Sequence, residues 1–289
     1  MHEWIENYLN HLVNKDVSKN TIKSYTNDLK QFQRYITDEF NINVTEVQEE
    51  HIENYQRWMK DTKRWTAKTR ARKTTVIKEF YKWASKKYKI ENPASDIELP
   101  VLEKRLPVYL SIEEVQKLIN ATQTQPEPYR SRDKLMLLLF ITTGLRLSEL
   151  ANIKLTDITD DVLTVIGKGN KQRQVALNKD VKKALVEYLK VRNSQSEYLF
   201  VSNRDKQMSI RTIQYTVEKY LNLAGLDTSK YSTHKLRHTA ATLMLQGNLD
   251  IRIIQEVLGH KSIQTTQIYT HIDKKQLKKA ASVTEGLFS

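Results

Sequence analysis

The chain of 289 residues carries 47 Lys and Arg against 34 Asp and Glu, a formal net charge of +13 that indicates a polyanionic partner such as nucleic acid. It contains no cysteine, which excludes disulfides and thiolate metal sites, and no apolar run approaches the about 20 residues of a membrane span. The polar N-terminal residues do not resemble a signal peptide, and the length is typical of two domains.

Four amphipathic helices are predicted in the first part of the chain, from apolar residues that recur at helical spacing. They cover residues 3–14, 19–37, 46–60 and 66–88. Ser18 and Thr66 stand immediately before the second and fourth of these segments, and their hydroxyl groups are the expected N-caps.

Positive charge is concentrated in residues 57–89, which contain thirteen basic and two acidic residues, whereas residues 1–56 contain five basic and ten acidic ones. Such a block is often only a solvated helix face. From Val76 onward, however, apolar residues recur at helical spacing while lysines fall on the opposite side. The pattern therefore indicates one core face and one cationic face suited to tracking phosphates.

A linker is predicted at residues 97–107, because prolines in and beside this stretch interrupt the helical periodicity. It separates an N-terminal helical domain, residues 1–96, from a second domain, residues 108–289. The second domain opens at Ser111, which together with Glu114 forms the sequence pattern of a capping box.

A buried helix and a β-hairpin are predicted in the middle of the second domain. The run at residues 135–143 has almost no polar face, which is typical of a helix enclosed on most sides. Residues 162–166 and 173–177 carry β-branched residues on either side of a Gly-rich turn and predict a β-hairpin, with residues 198–202 as a candidate third strand. From residue 209 the pattern is helical almost to the end.

Six side chains of the second domain could carry chemistry, although each alone is a weak signal. A helix-end arginine is usually a cap, a turn lysine is usually solvated, and a single tyrosine is usually in a core or an interface. His234 and His238 allow a zinc interpretation, but the motif lacks the glutamate of H-E-x-x-H and a cysteine ligand, so we expect no metal and no cofactor. In chain order the six are Arg146, Lys168, His234, Arg237, His260 and Tyr269.

Taken together, the second domain resembles the tyrosine recombinase (phage integrase) family, with wording closest to the Xer branch. The resemblance is carried by T-G-L-R-L-S-E-L, V-I-G-K-G-N-K-Q-R, H-K-L-R-H-T-A-A-T, L-G-H-K-S and T-T-Q-I-Y-T-H, between residues 143 and 271. S-K-N-T-I-K-S-Y at residues 18–25 and the basic helix are similar to the family's core-binding domain. Thr233 stands where the family commonly has proline, and Ala240 where it commonly has an aromatic residue, but neither position carries chemistry.

The resemblance implies a mainly α fold with a small β-hairpin or three-stranded sheet. An N-terminal four-helix, SAM-like core-binding domain and a tyrosine-recombinase catalytic domain would form a two-domain, C-shaped clamp around duplex DNA. The implied enzyme is a tyrosine site-specific recombinase with topoisomerase IB-like chemistry.

The residue types suit transesterification of a phosphodiester. Arg146 and Arg237 would clamp the non-bridging oxygens and stabilise the charge of the pentavalent transition state. Attack by Tyr269 would give a 3′-phosphotyrosyl link and release a 5′-hydroxyl group. Because the ester keeps the energy of the broken bond, rejoining needs no ATP, and the turn at residue 168 lacks the Walker A frame.

The remaining roles come from the family resemblance. Lys168 would protonate the leaving oxygen, His234 would act as a base near the tyrosine, and His260 would donate to the transition state. Glu149, three residues after Arg146, would hydrogen-bond its guanidinium and hold it.

DNA is the expected partner, at a specific recombination site. The predicted DNA contacts are Lys19, Lys68, Arg70, Arg72, Lys73, Lys171, Arg173 and Arg211. The amphipathic C-terminal segment is expected to pass to a neighbouring copy and assemble a tetramer, homomeric or with a paralogue, although it could instead fold back on its own domain.

Two biological roles compete for such an enzyme. The compact length favours Xer-like resolution of chromosome or plasmid dimers, in the cytoplasm at the nucleoid during chromosome partition and cell division, with possible control by a DNA translocase. The alternative is integration and excision of a mobile element. Less favoured are a non-catalytic DNA-binding protein on the same fold and a metal-dependent nuclease using Asp157, Asp160 and Asp161.

Overall fold

A computed structural model describes residues 1–102, 108–167, 172–247, 249–259 and 282–286. The chain divides into two compact units, Met1–Arg105 and Leu106–Ser289. Ile97, the first residue of the predicted linker, is buried in the core of the first unit. Within the described ranges, no helix is both long and apolar enough to cross a membrane.

Four helices make up most of the described part of the first unit: α1 (Glu3–Asn14), α2 (Lys19–Phe40), α3 (Glu49–Asp61) and α4 (Ala67–Tyr88). The predicted four-helix architecture is therefore confirmed. The hydroxyl of Ser18 accepts a hydrogen bond from Thr21 N (3.2 Å), and that of Thr66 accepts one from Thr69 N (3.3 Å), as expected of N-caps. The core between the helices is rich in fully buried aromatic rings, among them Phe32, Tyr55, Phe80 and Tyr81.

The second unit is built around one enclosed helix. Its helices are α5 (Ile112–Asn120), α6 (Tyr129–Thr143), α7 (Leu147–Ala151), α8 (Lys179–Val191), α9 (Ile210–Leu223), α10 (Thr233–Gln246) and α11 (Ile251–Leu258). Every residue from Leu135 to Thr143 in α6 is buried, because a helix without a polar face must be covered on all sides. Helices α8 and α10 pack against it. Ser111 and Glu114 form the predicted capping box at the start of α5.

A small antiparallel sheet lies beside these helices, in the order β1 (Ile158–Thr159), β2 (Val162–Ile166) and β3 (Gln172–Ala176). The predicted hairpin of β2 and β3 is confirmed. The third strand is β1, so the expectation that residues 198–202 supply it is wrong. Among the described residues, Tyr198 and Val201 form only isolated bridges, with Lys154 and Gln207, and do not join the sheet.

The described C-terminal residues, 282–286, contact the same unit. Asn178 Nδ2 donates to Thr284 Oγ1 (3.1 Å), and Lys179 pairs with Glu285 (2.8 Å). Donation of the C-terminal segment to a neighbouring copy stays a prediction, since residues 260–281 and 287–289 lie outside the described part of the chain.

Candidate active site

Arg146 stands at the turn between α6 and α7, where it is the N-cap residue of α7. Its backbone N–H donates to Glu149 Oε2 (2.7 Å), and its Nη1 donates to Glu149 Oε1 (2.7 Å). One carboxylate therefore satisfies a free amide of the helix N-terminus and also holds the guanidinium. The side chain of Arg146 remains 32% exposed, so part of the guanidinium is accessible to a ligand.

Arg237 lies on α10 and is buried. Its Nη1 donates to the carbonyl of Gly144 (2.6 Å), and its Nη2 donates to the carbonyl of Leu258 (2.5 Å). Arg146 Nη2 donates to the next carbonyl, that of Gly259 (2.6 Å). The two arginines thus meet at the C-terminal end of α11, where free carbonyls carry partial negative charge. His260 follows directly in the chain.

Gly144 makes this close approach possible. It ends α6 with φ +61°, a left-handed conformation that side chains rarely adopt. A Cβ atom at this position would collide with Cδ2 of Leu258. The glycine of the T-G-L-R motif therefore brings the end of α6 against the end of α11.

Arg173 on β3 completes the cluster, in a place that differs from the predicted phosphate contact. Its Nη1 and Nη2 donate to the two oxygens of Glu149 (2.8 Å each), and its Nε donates to Val257 O (2.8 Å). The guanidinium therefore points into the unit and not toward solvent. Strand alternation could have signalled this, because Arg173 stands two residues before the buried Val175 and shares its face.

The charges of this cluster do not balance. Burial alone would raise the pKa of Glu149, but hydrogen bonds from Arg173 and Arg146 lower that pKa to about 2, so the carboxylate is ionised at neutral pH. Burial and the nearby charge of Arg146 lower the pKa of Arg237 to about 10, which still leaves it cationic. Three guanidinium groups around one carboxylate leave excess positive charge, which suits an anion such as a phosphodiester.

Of the other four predicted catalytic residues, the structure describes only His234. His234 is exposed in the first turn of α10, one turn before Arg237, and its ring centroid lies 6.5 Å from that of His238. Lys168, His260 and Tyr269, together with the predicted DNA contact Lys171, lie outside the described residues. No group of three or more His, Asp or Glu side chains arranged for a metal ion occurs in the part that is described.

Other tyrosines of the second unit are poor candidates for the nucleophile. The hydroxyl of Tyr220 donates to Asp133 Oδ2 (2.9 Å), and burial and this carboxylate raise the pKa of Tyr220. The hydroxyl of Tyr231 donates to Glu114 (3.0 Å), and burial and that hydrogen bond likewise raise its pKa. A raised pKa makes the reactive phenolate rarer. Tyr215 is exposed on α9.

The acids considered for a metal-dependent nuclease make local structure instead. Asp157 Oδ2 accepts from the backbone N–H of Lys154 (2.8 Å), and Asp161 pairs with Lys182 (2.7 Å). Asp160 occupies the turn between β1 and β2 with φ +52°. These contacts agree with the interpretation that the three acids shape the approach to the hairpin.

Lys73, expected at a DNA phosphate, lies inside the first unit. Its side chain is only 10% exposed, and its Nζ donates to Asp28 Oδ1 (2.6 Å) and Gln31 Oε1 (2.7 Å). It also lies 4.8 Å from the centroid of the Trp65 ring. Because the buried Asp28 needs a compensating charge, Lys73 stabilises the fold and is not available to a phosphate.

Other predicted DNA contacts are more accessible. Lys19 and Lys68 are exposed in the first turns of α2 and α4, and Arg211 is exposed in the first turn of α9. Free amides at helix N-termini favour phosphate beside such side chains. Arg72 is half-exposed and ion-pairs with Asp28, while Arg70 is half-buried, with an Nε that has no hydrogen-bond partner among the described residues.

Two protein-family models match the chain. The phage integrase family model matches residues 109–276, which are more than half of the chain. The model of the phage integrase N-terminal SAM-like domain matches residues 5–87. One match falls in each of the two units.

Known relatives are similar along nearly the whole length. The tyrosine recombinase XerC of Caldanaerobacter subterraneus subsp. tengcongensis is 42% identical, with 96% of this chain and 85% of the relative covered. The structure of XerH site-specific recombinase in a post-cleavage complex with palindromic difH substrate is 26% identical, with a TM-score of 0.72 and coverage of 93% and 81%. A lambda integrase tetramer bound to a Holliday junction shares the fold at 20% identity, with a TM-score of 0.75 and coverage of 93% and 80%.

Proposed function

The chain belongs to the phage integrase family and is a Xer-like tyrosine site-specific recombinase, and we propose that six of its side chains cut and rejoin duplex DNA at one phosphodiester. The six are Arg146, Lys168, His234, Arg237, His260 and Tyr269. The observation that carries this proposal is the convergence of Arg146 and Arg237 on adjacent carbonyls at the end of α11, around an ionised carboxylate.

The arginines would bind the scissile phosphate. Each guanidinium has five N–H donors, and the hydrogen bonds described above use two of them at Arg146 and two at Arg237. The remaining donors and the excess positive charge suit the two non-bridging oxygens, whose charge grows in the pentavalent transition state. His260, which follows Gly259 in the sequence, would donate to the same transition state.

The bond exchange needs two proton transfers. The phenolic oxygen of Tyr269 would attack phosphorus while the bond to the 5′ oxygen breaks, and His234 would take the phenolic proton. Lys168 would give a proton to the leaving 5′ oxygen. The 3′-phosphotyrosyl ester conserves the bond energy, so attack by a 5′-hydroxyl group of the partner strand reverses the reaction without ATP.

Contacts to the DNA backbone would come from six of the eight basic residues that the sequence indicates. We assign them to Lys19, Lys68, Arg70, Arg72, Lys171 and Arg211. Lys73 and Arg173 are left out, because their side chains are only 10% and 12% exposed and bind buried carboxylates; Arg72 also binds Asp28 but stays 48% exposed.

The role we favour is resolution of chromosome or plasmid dimers in the cytoplasm, by four copies acting on two DNA sites. Similarity to a XerC protein over 96% of the chain supports this role over integration of a mobile element. Similarity to the lambda integrase tetramer on a Holliday junction supports the four-copy assembly.

The test is covalent capture. The protein would first select its site from a random duplex pool, and the selected duplex, nicked next to the cleavage point, would be incubated with EDTA and without ATP. A denaturing gel should show a protein–DNA adduct for the native chain and for the control Tyr215→Phe, and none for Tyr269→Phe. An adduct that persists in Tyr269→Phe, or one that requires metal, would contradict the proposal.

A further inference from the structure

Arg173 occupies a position that connects three parts of the second unit. On β3 it is paired with Val165 of β2, one step from the last pair of the hairpin, Ile166 with Gln172. In the sequence, Lys168 falls between these two strands. The residues next to Arg173, Gln172 and Gln174, are exposed, while Arg173 itself faces inward.

The guanidinium of Arg173 binds both oxygens of Glu149, at 2.8 Å each, in the bidentate geometry that gives the strongest arginine–carboxylate pairs. Glu149 in turn binds the guanidinium and the backbone amide of Arg146. The carboxylate is therefore held from one side and positions an arginine on the other. Without Arg173, Glu149 could change rotamer and carry Arg146 with it.

The same side chain also fixes the end of α11. Its Nε donates to Val257 O (2.8 Å), and its Cδ would lie 3.3 Å from a Cβ placed on Gly259. Val257 and Gly259 flank Leu258, whose carbonyl binds Arg237. One guanidinium thus joins strand β3 of the hairpin, the carboxylate that holds Arg146, and the end of α11, which precedes His260 in the sequence.

We propose that Arg173 is a positioning residue of the cleavage reaction, which holds Arg146 through Glu149 and joins the hairpin to the end of α11; the inference rests on the function proposed above. Direct contact with DNA fits the structure less well. The side chain of Arg173 is 12% exposed against 32% for Arg146, and three of its five N–H donors are already used.

A positioning role has a distinct kinetic signature. Arg173→Gln should leave the Kd for the selected duplex within about twofold and lower the single-turnover rate of adduct formation at saturating DNA by about 10- to 100-fold, since small misplacements of reacting groups cost that much. A DNA contact would instead weaken binding and reduce its salt dependence, with the rate at saturation preserved.

A neutral substrate separates positioning of Arg146 from a general loss of structure. Replacing one non-bridging oxygen of the scissile phosphate by a methyl group removes the negative charge that Arg146 stabilises. The defects of Arg146→Gln and Arg173→Gln should therefore both shrink on the methylphosphonate duplex, to less than about threefold. A defect of equal size on both substrates would contradict the inference.

Arg192 offers a matched control. It is also an inward-facing arginine of the second unit, and its guanidinium donates to backbone carbonyls, among them those of Ser194, Ser196 and Tyr198. Arg192→Gln should lower thermal stability. It should not change the ratio of the cleavage rate on the native phosphodiester duplex to that on the methylphosphonate duplex. If Arg173→Gln does not fold, Arg173→Lys, which retains the charge but not the two-pronged contact, is measured in the same way.

A double-mutant cycle tests whether Arg173 affects the cleavage rate through Glu149. If Arg173 acts through Glu149, the rate of Arg173→Gln combined with Glu149→Gln should be close to that of the slower single variant. If the rate defect of the double variant equals the product of the two single defects, Arg173 does not act through Glu149 and the inference is overturned. The proposed function fails separately, because it is judged from the adduct of Tyr269→Phe, and no result with Arg173 changes that outcome.

Discussion

Glu149 shows how one buried acid can organise a basic site. Its carboxylate is almost completely covered, and it receives hydrogen bonds from two guanidinium groups and one backbone amide. The backbone amide and one guanidinium belong to Arg146, three positions earlier, and the other guanidinium belongs to Arg173 on β3. An isolated buried carboxylate would be unstable, so the acid and its arginines depend on each other.

Stability should depend on pH through Glu149. Its pKa is lowered from 4.5 to about 2, so its ionised form stabilises the folded state above pH 4.5, and this contribution is lost as the pH falls through that value toward 2. At pH 7 Glu149→Gln should lower the free energy of unfolding by about 3 kcal/mol, measured by urea denaturation. The difference between native protein and variant should be constant from pH 7 to pH 6 and smaller at pH 3.5.

The control is Glu187→Gln. Glu187 is partly exposed and lies 3.8 Å from Lys134, a surface pair that should contribute no more than about 1 kcal/mol at any pH. A difference for Glu149→Gln that grows as the pH falls would show that the carboxylate is not stabilised by its arginines.

The contact between the ends of α6 and α11 is what assembles the arginines. Gly144 closes α6, the carbonyl of Gly144 binds Arg237, and Leu258 packs where a side chain at residue 144 would stand. The two helix ends therefore have to meet at this distance for Arg237 to bind the carbonyl of Leu258 and Arg146 to bind that of Gly259.

Gly144→Ala should disturb both stability and cleavage. A left-handed alanine costs about 1 kcal/mol, and the collision with Leu258 should add about 1–3 kcal/mol to the loss of unfolding free energy. Displacement of α11 should also slow adduct formation. Gly225→Ala is the control, because Gly225 has φ +69° with nothing within 4 Å of an added Cβ, so it should show the conformational cost alone and normal cleavage. Equal losses in the two variants would contradict this account.

Over the whole molecule, the basic residues that give the net charge of +13 include two groups with different roles. Some basic groups, such as Lys73 and Arg173, neutralise buried acids inside their own unit. Others, such as Lys19, Lys68 and Arg211, are exposed at helix N-termini. Only the second group can release counterions when DNA binds, so total charge overstates the number of phosphate contacts.

The salt dependence of DNA binding should separate these uses. Lys68→Gln should reduce the slope of log K against log salt by about 1 and leave the free energy of unfolding unchanged. Lys73→Gln should leave the slope unchanged and lower the free energy of unfolding by about 1–3 kcal/mol, because Asp28 loses a partner. Fluorescence anisotropy from 50 to 200 mM salt and urea denaturation would measure both, and the reverse pattern would contradict the assignment.

Local patterns were enough to predict much of this protein. Helical spacing located α1 to α4, hydroxyl residues marked the starts of α2 and α4, and a Gly-rich turn between β-branched runs located the hairpin of β2 and β3, because these features depend on neighbours a few residues away. The order of the six reactive side chains was likewise sufficient to indicate the family.

Contacts between distant segments were beyond such patterns. The inward turn of Lys73 depends on Asp28, and that of Arg173 depends on Glu149; both acids lie in other elements. The third strand was wrong for the same reason, since residues 198–202 form only single bridges in the described part of the chain, to Lys154 and Gln207, and the strand that joins β2 is β1. Burial of a charge is stable only where folding delivers its partner, and a linear pattern does not contain that information.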